Sequence, residues 1–502
     1  MKLEPYKNIL GVSAGFHDAA ATLINTHGEI VFAGHSERYS KQKNDADICP
    51  ALLAEFSNYY IDTVAWYERP WMKQLRRLRS GEGFDVKRLT VNSMLKEQLG
   101  DQLLHAPRKT VCYNHHLSHA ASGFQTSPFD RATVVVIDAI GEFDTISIYG
   151  AEYDRTGRAV YKKLWGQKYP HSIGLFYSAI TQRVGLHPLD EEYITMGMSA
   201  YSTHGNVYAI PMREQLIRSI KDIEFKENLH LGLDSNFMAG VDDYDIAGAA
   251  QHLVEELIYS VMLRAQNFGF STNLVYQGGV ALNCLANREL GNYFENIWIM
   301  PSPGDSGSSL GAAALAYGGP IKFDHAYLGH NIGGEYPVNA LLDSLLRDKI
   351  VGVASGRAEF GPRALGNRSL LADPRGPDIK DRVNEIKRRQ KFRPFAPVIL
   401  DELANEFFSM PCGFRHSPYM QSTAYCRQPD AFPAIVHHDG TSRVQTVPDN
   451  GSGIRKLLEK WYVLTGCPML LNTSLNIRGE PMVNDRADAD RFEALYGVKV
   501  CS

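Results

Sequence analysis

No run in this chain approaches the roughly 18 consecutive apolar residues that a membrane helix needs, so no membrane span is expected. The opening MKLEPYKNILGVSAGFHDAA lacks the charged-then-apolar order of a secretion signal, and a cytoplasmic location is the expectation. The cysteines are few and scattered: Cys49, Cys112, Cys284, Cys412, Cys426, Cys467 and Cys501 form no CxxC pair and are odd in number. They read as reduced packing thiols rather than a disulfide framework. Repeats of solenoid length and low-complexity tracts are also missing. The formal charge of −4 provides no global attraction for nucleic acid or anionic membrane, although a local cationic groove is compatible with it.

What is present is a globular chain of 502 residues, 44% hydrophobic and 22% charged, too long for one ordinary core. Strand-like runs at Ile9–Ser13 and Ala20–Ile24 precede a turn at Thr26–Gly28 and a third run, Glu29–Ala33. A second apolar run, Ala132–Ile137, ends in Asp138 and is followed by Gly141 and Thr145–Tyr149; a third, Asn273–Gln277, ends in Gly278-Gly279 after a helical pattern over about Ile246–Gln266. Strand, glycine turn and acidic or amide residue recur three times. That recurrence resembles the actin-like (ASKHA-type) duplicated mixed-sheet architecture, in which glycine turns bring backbone N–H groups close to a nucleotide. Each turn taken alone is equally a tight hairpin.

The stretch from about Ala316 to Val338, rich in Gly, Pro, His and Tyr, reads as a linker. Domains are therefore expected over 1–335 and 346–502, with eleven Lys and Arg residues crowded between Arg357 and Arg393 in the second.

His115 and His119 stand four apart, so a helix presents both imidazoles on one face. Asp138, ending an apolar strand, and Asp305, in Pro-Ser-Pro-Gly-Asp-Ser-Gly before the small-residue helix Gly311–Ala316, are the acidic partners. A carboxylate at the end of a buried strand costs desolvation unless a positive charge meets it. Two imidazoles and two carboxylates suit a borderline divalent ion such as iron, manganese or zinc; two partly exposed helical histidines are the plainer alternative. His116 points off the shared face and reads as structural.

The segments Gly15-Phe-His-Asp-Ala19, Ser36-Glu-Arg38 with Lys43, Tyr67-Glu-Arg-Pro70, His115–Ala120, Asp138 with Gly141-Glu142, Gly278-Gly-Val-Ala-Leu-Asn283, Gly304-Asp305, Glu359–Ser369, Phe392–Pro397, Asp439-Gly-Thr441, Asn472-Thr-Ser474 and Gly479-Glu-Pro481 resemble, nearly end to end, the NodU-type O-carbamoyltransferases. The resemblance implies an actin-like first domain that transfers carbamoyl to an acceptor hydroxyl. It also implies a YrdC-like α/β second domain that makes carbamoyl adenylate from carbamoyl phosphate and ATP. Iron is the metal it favours at His115, His119, Asp138 and Asp305.

Within that frame His17 is the candidate base, since imidazole titrates near neutral pH; Asp18 beside it is expected to point apart. Lys43, Gly278, Gly279 and Asn283 are the nucleotide candidates. A small dianion needs converging cations, for which Arg363, Lys387, Arg389, Arg393 and Arg443 are candidates, with Asn472 donating an amide hydrogen bond. A small-molecule hydroxyl, in a sugar or antibiotic-like metabolite, is the expected acceptor. The alternatives are a hydroxymethyl nucleobase or nucleic acid, threonylcarbamoyl transfer to tRNA, against which the second domain speaks, and a catalytically silent binding scaffold. Lys73, Arg76, Arg77 and Arg79 form a basic amphipathic helix that could touch nucleic acid, the less favoured reading because the helix adjoins the Tyr67–Pro70 match and relatives with small acceptors have a similar basic stretch. One departure stands out: relatives commonly carry Glu-x-Lys-x-Met-Gly where this chain has Glu192-Tyr-Ile-Thr-Met-Gly197, with Ile194 at the lysine position.

Overall fold

The computed structural model describes residues 8–100, 103 and 105–502. One compact unit comprises residues 8–40, Asn44–Leu282 and Asn292–Asp324; the other comprises Lys41–Lys43, Asn283–Gly291 and His325–Ser502.

In the first unit β1 (Asn8–Ser13), β2 (Ala20–Ile24), β3 (Ile30–His35), β4 (Ile61–Trp66) and β5 (Lys109–Cys112) pair in the order β3-β2-β1-β4-β5. β1, β2 and β3 are antiparallel neighbours, whereas β4 and β5 run parallel to β1. A second sheet repeats the pattern with β6 (Arg131–Gly141), β7 (Asp144–Tyr153), β8 (Ala159–Lys168), β9 (Asn273–Gln277) and β10 (Asn296–Trp298), ordered β8-β7-β6-β9-β10 with the same directions. The duplicated mixed sheet expected from the sequence is therefore present. β1 is buried along its whole length. β6 is buried from Ala132 to Asp138. A central strand covered on both faces must be apolar without alternation, which is why these runs stand out in the sequence.

Five helices matter to the site or to the sequence expectations: α1 (Pro70–Ser80), α2 (His115–Phe124), α3 (Glu192–Ser199), α4 (Asp243–Asn267) and α5 (Gly307–Tyr317). α2 starts where the Asn114 side chain accepts from Leu117 N at 3.0 Å. α5 is built from Gly, Ser and Ala because it lies backbone-to-backbone on its neighbours. A Cβ on Gly311 would sit 1.8 Å from the Ser118 carbonyl oxygen of α2, and one on Gly11 of β1 would sit 1.9 Å from the Ser309 oxygen of α5. In α3, Ile194 is fully buried. Core packing therefore occupies this position.

In the second unit β11 (Ile350–Ala354), β12 (Arg368–Ala372), β13 (Ala396–Leu400), β14 (Gln445–Val447), β15 (Met469–Ser474) and β16 (Val500–Cys501) form a mixed sheet ordered β14-β13-β15-β12-β11-β16. Its core includes Trp461, Leu470, Val398, Leu371 and Val353. The stretch read as a linker differs from expectation: Tyr327–Asn331 is a strand paired antiparallel with Arg357–Glu359. Five residues are too few for alternation to show among surrounding Gly and His.

Replacing Gly311 by Val forces side-chain atoms into the Ser118 carbonyl. The expected loss is about 3 kcal/mol of stability, read from urea unfolding midpoints against the unaltered protein.

Candidate metal centre

The four-residue spacing on α2 brings His115 Nε2 and His119 Nε2 to 3.1 Å of each other. Asp138, from β6, places Oδ2 at 3.2 Å from His115 Nε2 and 3.6 Å from His119 Nε2. Asp305, just ahead of α5, places Oδ1 at 3.3 Å from both nitrogens. All four side chains are buried, and one ligand atom from each lies within 4.8 Å of every other.

The donor chemistry tests whether a cation fits. His119 Nδ1 is 3.0 Å from the Pro303 carbonyl oxygen, which can only accept, so this nitrogen carries the proton of the neutral ring and Nε2 turns its lone pair inward. His115 Nδ1 makes no hydrogen bond among the described residues and faces Glu68 Oε2 at 3.6 Å. Two lone pairs and two carboxylates thus converge in a buried space, an arrangement that desolvation forbids unless positive charge is shared among them. The proton equilibria respond accordingly. Burial opposes charge on His115 and His119, yet Asp305 and Asp138 outweigh it and raise both pKa values. Burial likewise opposes ionisation of Asp138 and Asp305, and the two histidines hold both below the usual carboxylate range. A divalent cation of borderline softness fits this set.

The surrounding backbone explains why the ligands meet. Gly278 has φ 91°, and a Cβ there would come 2.1 Å from the Ile137 oxygen. The turn therefore lies directly on the end of β6, and Gly279 N donates to Asp138 Oδ1 at 3.1 Å. A Cβ on Gly141 would meet His115 Cδ2 at 2.4 Å. Glu142, buried at φ 59°, accepts from Arg69 N at 2.7 Å, Arg69 Nε at 3.0 Å and Asn114 Nδ2 at 3.0 Å. That clamp ties the turn after β6 to the N-cap residue of α2. His116 faces away, its Nδ1 bonded to Ser147 Oγ at 2.9 Å.

His17 Nε2 stands 4.0 Å from Asp305 Oδ2, at the edge of the quartet, and the ring keeps 24% of its side-chain exposure. Asp18 does not point apart as expected: its left-handed backbone, φ 53°, turns the carboxylate back to within 3.0 Å of His17 Nδ1. Burial works to lower the His17 pKa, but Asp18, Asp305 and Asp138 push it up to about 9. Sequence reasoning set Asp18 aside and gave no role to Glu68 or Glu142, although each lies in or beside a segment it had singled out. The basic helix turns several of its cations to acidic partners. Lys73 pairs with Glu68 at 2.7 Å, while Arg76 and Arg77 turn to Glu82.

The nucleotide candidates fall in both units: Gly278 and Gly279 in the first, Lys43 and Asn283 in the second. Asn283 is nearly buried and caps Cys284–Asn287 by accepting from Ala286 N at 3.1 Å.

In the second unit the run around Arg363 is a built loop. Glu359 Oε1 accepts from the N–H groups of Leu365, Asn367 and Arg368 at 2.8, 2.9 and 3.2 Å. Arg368, fully buried, donates to the carbonyls of Asn484, Ser355, Asn367, His330 and Gly356 at 2.9 to 3.2 Å. Arg363 is left half-exposed on that loop. Asn472 directs its amide hydrogens inward, to Ala364 O at 3.1 Å and Gln445 Oε1 at 2.7 Å, so the expected donation to a ligand is already taken up by the loop. Lys387 Nζ donates to Ser474 Oγ at 3.2 Å and to Asn476 O and Oδ1 at 2.9 Å, without a carboxylate among these contacts. Arg389 bonds Asn384 Oδ1 at 2.7 Å and lies over Phe395. Arg443 is half-buried, and its Nε has no partner among the described residues. Burial, then the charges of Arg389 and Arg393, hold the Lys387 pKa well below the usual lysine range, which brings these three cations into one field.

Residues 51–314 match the family described as Carbamoyltransferase N-terminus, and residues 342–500 match Carbamoyltransferase C-terminus. The chain belongs to the carbamoyltransferase family. Carbamoyl transfer is its reaction class. Uncharacterized protein sll1178 of Synechocystis sp. is 31% identical, over 96% of this chain and 94% of its own length. Nodulation protein NolNO of Sinorhizobium fredii is 29% identical over 94% of this chain and 76% of its own, and nodulation protein NolO of Bradyrhizobium diazoefficiens 30% over 75% of each. No helix among the described residues is long and apolar enough to cross a membrane.

The depressed Lys387 pKa has a measurable consequence. Between that lowered value and the ordinary lysine value of about 10.4, the unfolded chain binds a proton that the folded chain has released, so stability rises with pH across this window. Lys387→Met is expected to flatten that rise, measured as urea midpoints at several alkaline pH values for both proteins.

Proposed function

We propose that this carbamoyltransferase works in two stages, with carbamoyl adenylate made by a YrdC-like C-terminal domain and carbamoyl passed to a hydroxyl by the actin-like N-terminal domain. The observation that carries the transfer stage is the buried quartet of His115, His119, Asp138 and Asp305 with His17 4.0 Å from Asp305 at its edge. In the first stage carbamoyl phosphate, ATP and water give carbamoyl adenylate, phosphate and pyrophosphate. Arg363, Lys387, Arg389, Arg393 and Arg443 supply the positive field that a phosphate dianion requires. Asn472 serves that stage by holding the Arg363 loop from Ala364 O.

In the second stage the acceptor oxygen forms a bond to the carbamoyl carbon, the carbon–oxygen bond to AMP breaks, and the hydroxyl proton passes to His17. A divalent cation, iron by family likeness with manganese or zinc as the other fits, would be held by His115, His119, Asp138 and Asp305 and would supply Lewis-acid polarisation of phosphate and carbamoyl oxygens. His17 stands at the rim with Nε2 toward Asp305 and takes the acceptor proton, while Asp18 orients the ring through Nδ1. Gly278 and Gly279 offer backbone close to the nucleotide.

The acceptor in this reading is a small-molecule hydroxyl. Inward pairing of Lys73 and Arg76 supports it, because those cations are not available to a polynucleotide backbone. A cytoplasmic setting is consistent with seven unbridged cysteines.

The test is incubation with carbamoyl phosphate, ATP and, in separate arms, a panel of sugars and antibiotic-like alcohols, hydroxymethylated nucleosides and nucleic acid, followed by mass measurement. A carbamoyl mass gain confined to the small-molecule arm is expected; a gain confined to nucleic acid overturns the acceptor reading. Arg363→Ala is expected to lower carbamoyl-phosphate-dependent pyrophosphate release at least about 100-fold, the scale of losing one charged transition-state contact. His17→Ala should leave pyrophosphate release intact and reduce acceptor carbamoylation about 100-fold or more.

A further inference from the structure

One buried ion pair beside the metal centre touches both a ligand and the turn that carries the base. Glu68 lies two residues beyond the end of β4 and is almost wholly enclosed. Its Oε2 faces His115 Nδ1 at 3.6 Å, the nitrogen for which no other hydrogen-bonding partner exists among the described residues. Its Oε1 accepts from Lys73 Nζ of α1 at 2.7 Å. The same ammonium reaches the Gly15 carbonyl oxygen at 3.5 Å and lies 5.4 Å from the centroid of the Phe16 ring. Phe16 in turn packs against the His17 ring at 4.6 Å between centroids.

We infer that Glu68 and Lys73 are positioning residues: Glu68 fixes the tautomer and tilt of His115, and Lys73 couples that ligand to the Gly15–His17 turn. An imidazole whose Nδ1–H faces a carboxylate presents a more basic Nε2 in a set direction, which is how outer carboxylates tune metal-bound histidines. A buried carboxylate in that place needs a counter-charge of its own, and Lys73 is the cation that provides it. Because Lys73 also holds the turn through Gly15 O and Phe16, displacement of Glu68 is transmitted to the base as well as to the ligand. The couple has a cost in kind, since α1 gives up a surface cation to make it.

The inference rests on the metal reading above, and cobalt(II) titration of the purified protein separates the two. Unaltered protein should bind one cobalt ion, and His119→Ala should abolish that binding; if neither holds, the metal reading fails and takes this inference with it. Given both, Glu68→Gln and Lys73→Met should each weaken cobalt binding about 10- to 100-fold while keeping the circular dichroism spectrum and cooperative unfolding of the unaltered protein. Amide exchange at residues 15–19 should speed up in Lys73→Met, and Lys73→Arg should restore most of both effects. Cobalt affinity within about twofold of the unaltered value in both folded variants overturns the positioning role alone. If one variant does not fold, the other decides.

Discussion

Like charge concentrated in a dry space is the constraint on which the N-terminal unit depends. Two imidazole lone pairs and two carboxylates face one another at 3.1 to 3.6 Å. Nothing in apolar packing brings such groups together, because desolvation and repulsion both oppose it. The arrangement is stable only with positive charge shared at its centre, and the structure around it is shaped to hold the four atoms still. Outer partners do this one by one: Pro303 O for His119, Gly279 N for Asp138, Glu68 beside His115.

Precision here comes from glycine and close backbone approach rather than from long side chains. The ligands sit on α2, on β6 and ahead of α5. Those elements meet at Gly311, Gly11 and Gly278, where a Cβ would fall within 1.8 to 2.1 Å of a carbonyl oxygen. Packing so close leaves little room for adjustment, so the position of one helix determines that of the next. The Arg69–Glu142–Asn114 clamp serves the same end at the start of α2. In the second unit a different solution holds the Arg363 loop: one carboxylate gathers three N–H groups from inside, and one guanidinium spans five carbonyls. The motif that reads in sequence as a run of ligand-binding cations is partly scaffold.

Much of this was legible beforehand, and for identifiable reasons. The strands β1, β6 and β9 were visible because central strands are apolar throughout, and the helical spacing of His115 and His119 is a local property of four residues. Asp138 was legible as a carboxylate ending a buried strand, and Asp305 as one in a Pro- and Gly-rich turn ahead of a small-residue helix. The strand at Tyr327–Asn331 was not, being five residues long with a partner about 30 positions away by number. Asp18 was misjudged because neighbouring side chains diverge in regular backbone, whereas a left-handed residue reverses the rule. Arg363 was singled out and Arg368 was not, but the scaffold role of Arg368 was hidden, since it depends on burial and on five carbonyl partners that spacing does not reveal.

Amino-acid order by itself determined the repeated strand and glycine-turn pattern, the pairing of two histidines on one helical face and, through resemblance, the class of group transferred. These are local or family-level properties, carried by spacing within a few residues or by motifs kept intact. Tertiary structure alone decided that Glu68 stands beside His115, which cations of α1 turn inward to Glu68 and Glu82, and which arginine is wall and which is exposed. Those outcomes depend on contacts between residues separated in sequence, such as Glu68 with His115, and on the desolvation that only closure of the fold imposes.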